Sequence, residues 1–204
     1  MKPTPFFILF AIIFLQSASV FGQKITVVSG DLKAIKGLKK LNIEYDYSNM
    51  SVGKYDKEED YVNEKVAEKN EANPGKGDEW KGKWIGDREK RFQPKFEELF
   101  KKYLKADISI GQFDDADYTM VLRTTHTEPG FNIGMGIIRK VAHTNLEAVF
   151  YKKGSNSPVL VISIYRSPGE DAMGYDFDRA HRIQESYAKA GKSLGKFITN
   201  KCLK

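Results

Sequence analysis

Two histidines and a glycine-rich segment are the residues here whose spacing invites chemistry. His126 and His143 flank the stretch TEPGFNIGMGIIRK at 127–140. A symmetric hairpin centred between Gly134 and Met135 would set the imidazoles opposite each other, and two imidazoles across a strand pair can hold zinc. Register argues against that. Tyr118, Met120 and Leu122 should share a face with Leu146, Ala148 and Phe150, which requires paired residue numbers summing to an even value such as 268 or 270. A one-residue slip would turn one apolar set to the wrong face. The histidines sum to 269, so they are expected on opposite faces unless a bulge intervenes. The sum 270 also sets Arg123 against Glu147 as a cross-strand ion pair.

The glycines do not form a phosphate cradle. Gly134-Met135-Gly136 is followed three residues later by Arg139, not glycine. No lysine–serine pair completes a P-loop, and both flanks read as strands, so no helix N-terminus offers amides to an anion. What remains is a long hairpin tip carrying Phe131, Ile133, Met135, Ile137 and Ile138. Such a set is costly to expose, so it either folds back on the core or touches a partner.

Trp80 and Trp84, beside Lys81, Lys83, Arg88 and Arg91, carry the chemistry of a sugar- or polyanion-binding surface, with stacking and bidentate donors. The alternative is that the tryptophans pin a helix to the core. Asp114, Asp115 and Asp117 cluster before a strand, but the glycine and terminal glutamate of a calcium loop are missing. No G-x-S-x-G elbow occurs. The binding candidates are therefore Trp80, Trp84, Arg88, Phe131, Ile133, Met135 and Arg139. No catalytic residue, metal site or cofactor is assigned.

These residues need elements to position them. Leu41, Ile43, Tyr45 and Tyr47 alternate with polar residues and predict a strand. Between Lys54 and Arg91, 21 of 38 residues are charged, so a polar insertion is expected at about 48–82, with a short helix over 55–71 ended by Asn73-Pro74-Gly75. Phe92, Phe96, Leu99, Phe100 and Tyr103 have helical spacing. Pro94 either starts that helix or bends a longer one beginning near Trp80, and the Trp80/Trp84 spacing favours the bend. Strands follow at 118–123, 146–151 and 159–165, the last apolar on both faces and therefore central. A helix from about Asp178 closes the chain, with Gly191 and Gly195 expected to let it approach its own sheet. The predicted fold is α+β: a two-layer sandwich of about four strands in a mixed sheet, two amphipathic helices on one face, in the order βαβββα. The first strand should run parallel to the second if they neighbour.

The N-terminus reads as an export signal. Lys2 precedes the ten-residue apolar run Phe6–Leu15, too short to span a bilayer, and Val20 and Gly22 fit a cleavage site before Gln23. Residues 1–22 are thus expected to be a cleaved signal peptide and 23–204 a single domain, periplasmic or extracellular. Cys202 is the only cysteine, so no internal disulfide forms. Asn49-Met50-Ser51 is a glycosylation sequon. Removal of Lys2 leaves 32 basic and 27 acidic residues, a net charge of +5. Asp178–Lys204 alone has seven basic and two acidic residues, also +5. In an exported chain the anionic partners are headgroups, surface polymers and acidic proteins rather than nucleic acid. No later run is long enough for a transmembrane segment.

The signal ending FGQ, the lack of cysteine pairs, and the segments GDREKRFQPKFEELF and RIQESYAKAGKSLGKFI resemble exported proteins of Bacteroidetes-type bacteria. The element order is similar to small envelope modules, the TolB N-terminal domain and the penicillin-binding-protein activator lipoproteins. The resemblance implies a domain that binds other envelope proteins. The expected function is a non-enzymatic, exported protein-binding module of the cell envelope. The alternative is a small-ligand or glycan-binding protein, possibly an enzyme using the acids at 114–117.

Overall fold

The computed structural model describes residues 22–105, 107–133, 138–169 and 178–202. The signal peptide expected at 1–22 lies outside them, apart from its last residue. The described residues form nine strands and four α-helices: β1 (Lys24–Gly30), β2 (Lys40–Asp46), β3 (Ser51–Val52), α1 (Glu58–Ala72), α2 (Lys76–Asp87), α3 (Gln93–Tyr103), β4 (Ser109–Gly111), β5 (Tyr118–Glu128), β6 (Phe131–Ile133), β7 (Ile138–Lys140), β8 (His143–Lys152), β9 (Pro158–Pro168) and α4 (Arg179–Cys202). The α+β class agrees with the sequence. The strand and helix counts are corrected. The main sheet has seven strands, not about four, in the order β1-β9-β8-β5-β2-β4, with β3 beside the far end of β5. Three helical bodies cover it instead of two, because α2 runs into α3 through a π turn at Arg88–Phe92.

The additional strands are short or exposed. β3 and β4 hold two and three residues, too few to show a period. β1 is an edge strand with most side chains in solvent, so it lacks apolar alternation. β2 does run parallel to β5, as the helical crossover requires. β9 lies between β1 and β8, as its two apolar faces predict.

One sheet face is closed and one is half open. Ile43, Met120, Leu122, Leu146, Phe150, Leu160 and Ile162 are buried beneath α3 and α4. Each such side chain gains about 1.5–3 kcal/mol from burial. The other face carries Asp46, Arg123 and Glu147 in cross-strand register. Arg123 donates to Asp46 at 3.1 Å and to Glu147 at 3.3 Å, so the expected pair is present with an added acid. All three are partly exposed, and each contact contributes at most about 1 kcal/mol.

The charged segment 48–82 becomes β3, α1 and part of α2, and it joins the core through Val52, Tyr61 and Val62. The bent-helix reading of Pro94 is close to the finding. Pro94 is the second residue of α3, and the π turn before it lets Gln93 N–H reach the Arg88 carbonyl five residues back. The last helix differs from expectation. A Cβ at Gly191 would lie 2.3 Å from the Phe96 carbonyl oxygen, and one at Gly195 would lie 2.9 Å from that of Phe100. The glycines therefore admit α3, not the sheet.

Candidate functional site

β5 and β8 pair with sum 270 from Tyr118↔Lys152 to Thr124↔Leu146, as the apolar pattern requires. A bulge at Thr125 then raises the sum to 271, giving His126↔Asn145 and Glu128↔His143. The bulge moves His126 to the half-open face that His143 occupies, and the ring centroids stand 5.5 Å apart. The expectation that the histidines lie on opposite faces is thus corrected by the bulge. Ser51 Oγ lies 2.8 Å from His126 Nδ1. Burial, then nearby Arg166, lowers the pKa of His143; burial lowers that of His126, and Glu128 partly opposes it. Burial thus favours the neutral form of both imidazoles. Two neutral imidazoles can exchange protons or bind a metal, but among the described residues no group of three or more metal-binding side chains converges.

Below the histidines the strands leave the main sheet and form a separate ribbon, β6–β7. Its root is held from several sides. Gly130 takes a left-handed φ of 65°, and a Cβ there would lie 2.5 Å from the Lys140 carbonyl oxygen. The Glu128 carboxylate is buried, accepts from Gly130 N–H at 3.1 Å and pairs with Lys140 at 2.5 Å. Arg182 of α4 donates to the carbonyls of Pro129 and Gly130 at 3.3 and 3.1 Å. Beside it, Thr144 donates to Ser186 at 3.1 Å and Ser167 to the Ser186 carbonyl at 2.7 Å, a buried hydroxyl seam that fixes α4 on the sheet.

The ribbon holds the expected loop residues. Phe131 is 43% exposed, and Val141 at its exit is 36% exposed. Ile133 ends β6 and Arg139 lies in β7. Met135 lies outside the described residues, as do Gly134, Gly136 and Ile137.

The tryptophan group is built differently. Trp84 is only 4% exposed, and Trp80 packs partly against the core. Their rings stack at 5.7 Å and 13°, with Tyr61 edge-on. Glu58 accepts from the Trp84 indole N–H and from Arg88, whose guanidinium lies 4.3 Å from the Tyr47 ring centre. Arg179 covers both tryptophans, at 4.9 and 4.8 Å. This cluster clamps the α1–α2 hairpin to the core, and Trp84 offers no open face to a sugar. Arg88 and Glu58 do border a cleft of about 840 Å³ between the end of β2 and the start of α1, lined also by Tyr47, Asn49 and Lys57. Two of its four acids are committed elsewhere, Asp46 to Ser48 and Arg123 and Glu58 to Trp84 and Arg88, while Asp56 and Glu59 complete its acidic lining. The acids before β5 lie apart from it, with Asp115 paired to Lys40.

Sequence reasoning missed Glu58, Glu128, Arg179 and the Thr125 bulge. Glu58 sits in a run of five charged residues, Asp56 to Asp60, with nothing to distinguish it. The bulge falls in Thr124-Thr125-His126-Thr127, where no apolar alternation marks a phase change.

No protein-family model matches the chain, and no curated protein does. Among solved structures, the chain is similar to the PelC dodecamer from Paraburkholderia phytofirmans, with 10% identity, TM-score 0.40, and coverage of 85% of this chain and 97% of that one. Protein XCC0632 from Xanthomonas campestris, of DUF330, has 8% identity and TM-score 0.35, covering 80% and 85% of the two chains.

Proposed function

We propose that this chain is an exported binding module of the cell envelope, without catalytic activity, that engages a partner protein through the β6–β7 ribbon. The observation that carries the reading is the ribbon itself. It is a two-stranded sheet outside the main one, rooted by Glu128, Gly130 and Arg182, with Phe131 and Val141 in solvent. A fixed root lowers the entropy lost on docking, and an exposed aromatic is the commonest kind of interface anchor. Capture from an envelope fraction tests it. Wild-type bait should retain a discrete protein partner, and Phe131→Glu with Val141→Glu should release it while the fold persists. Equal capture by the variant would remove the ribbon from the reading.

A second reading rests on the cleft. It joins Tyr47 and Met50 to Asn49 and Lys57 in a concavity large enough for a small ligand or a sugar. Saturable binding on a glycan array that is lost in Asn49→Ala, with no protein captured by the ribbon, would favour it.

A further inference from the structure

α3 and α4 run parallel. Gly191 meets the backbone of Phe96, and Gly195, one turn on, meets Phe100 and Leu104, so both chains advance in the same direction. Their C-terminal ends are tied together: Lys105 N–H donates to Thr199 Oγ1 at 2.9 Å, and Thr199 Oγ1 donates to the Tyr103 carbonyl at 3.2 Å. Cations occur along both helices, but towards each C-terminus no acid follows the last lysines. Glu97 and Glu98 are the last acids of α3 before Lys101 and Lys102, with Lys105 just beyond its end, and Glu185 is the last acid of α4 before Lys189, Lys192, Lys196 and Lys201. Parallel packing superimposes the two asymmetries. The loop before β2 adds to them, because Ser109 N–H donates to the Lys39 carbonyl at 2.7 Å and brings exposed Lys36 and Lys39 to the same end.

Lysines at helix C-termini are favoured by the helix dipole alone. That does not account for Lys36 and Lys39, which belong to no α-helix. Among the described residues Lys101 pairs with Glu97 at 3.3 Å, whereas no carboxylate pairs with Lys102, Lys105, Lys196 or Lys201. Asp107, exposed between Lys105 and Ser109, offsets only part of this charge, and the lysines that outnumber it repel one another, a cost that a fixed anionic surface would offset.

We propose that this lysine-rich end docks on an anionic phospholipid bilayer. The lysines come from two helix ends and a loop, spread over one end of the molecule, which suits a planar array of headgroups more than a single polymer strand. Tyr103 sits among them, with Lys192 and Lys196 at 5.3 and 5.1 Å from its ring centre, and an amphipathic ring of this kind prefers the headgroup level. Each lysine near such a surface contributes about 1 kcal/mol. The docking also sets an orientation. Arg182, which holds the ribbon root, lies 19 residues before Lys201 on the same helix, a rise of about 29 Å. The ribbon is thereby presented to partners away from the membrane. The docking stands independently of what the ribbon binds.

Co-sedimentation tests it, using the purified protein with vesicles of equal phosphatidylglycerol and phosphatidylcholine and with phosphatidylcholine alone. Binding should occur with the first only. It should fall steeply between about 0.1 M and about 1 M salt, as the Debye length shrinks from about 10 to about 3 Å. The triple variant Lys102→Glu, Lys105→Glu, Lys196→Glu should lose at least about 100-fold, on the order of fivefold for each lysine. Lys83→Glu, in α2, should change binding little. Circular dichroism confirms that the variants fold. Absence of binding to anionic vesicles overturns the proposal, as does an equal loss in Lys83→Glu. So does binding confined to a soluble anionic polymer such as heparin.

Discussion

His126 and His143 link the root of the ribbon to pH. Both have folded pKa values below the ordinary 6.5, chiefly from burial. Between those folded values and 6.5 the unfolded chain binds more protons than the folded one, so stability rises with pH there. The contribution is complete above about 6.5 and is lost as pH falls through the folded values. The groups facing the pair are Ser51 from β3, Glu128 from β5, Lys140 from β7, Asn145 from β8 and Arg166 from β9. Glu128 favours the charged form of both, and the Val141 backbone favours that of His143. Urea unfolding at about pH 7.5 and about pH 5 should show a smaller acid loss in His126→Gln with His143→Gln than in wild type. Arg88 and Glu58 make a second residue-scale case. Their side chains are 16% and 17% exposed, so Glu58→Ala leaves a nearly buried guanidinium unpaired. We expect a loss of about 3–5 kcal/mol in denaturant unfolding, against a smaller loss when both are replaced by leucine. Little at this scale was legible in the sequence. Register arithmetic placed Arg123 on Glu147, but one unmarked bulge residue reversed the relation of the two histidines.

At the scale of elements the periodic segments were legible and the aperiodic ones were not. β2, β5 and β8 alternate and α3 and α4 each carry an apolar stripe, because each has one face in the core, while β9 shows as an apolar run because it lies between two strands. β1, β3 and β4 have too little buried surface or too few residues to leave a pattern. The α3–α4 contact was misassigned because a glycine pair reports close approach without saying to what. Two glycines now give opposite predictions. Gly191→Ala drives a methyl to 2.3 Å from the Phe96 carbonyl oxygen and should cost about 1–3 kcal/mol. Gly82, inside α2, has no atom within 4 Å of a built Cβ, so Gly82→Ala should gain up to about 1 kcal/mol. Thermal melts of the two variants, moving in opposite directions, check the assignment.

For the whole molecule, parallel helix packing converts a sequence-level net charge into a directional one. The sequence located a basic terminal helix, but the second lysine set became relevant only once α3 lay beside it. No helix of the described residues is long and apolar enough to cross a membrane. The proposed docking of the lysine-rich end is itself peripheral and salt-sensitive, with the ribbon at the other end of α4 turned towards a partner. A photo-crosslinking side chain placed at Phe131, compared with one at exposed Tyr165 on β9, distinguishes a ribbon interface from general stickiness. In intact envelopes the probe at Phe131 should yield one discrete protein adduct, weakened by Val141→Glu, and the probe at Tyr165 should yield none. Equal adducts at both positions, or none at Phe131, would contradict the reading of this chain as a ribbon-presenting binding module.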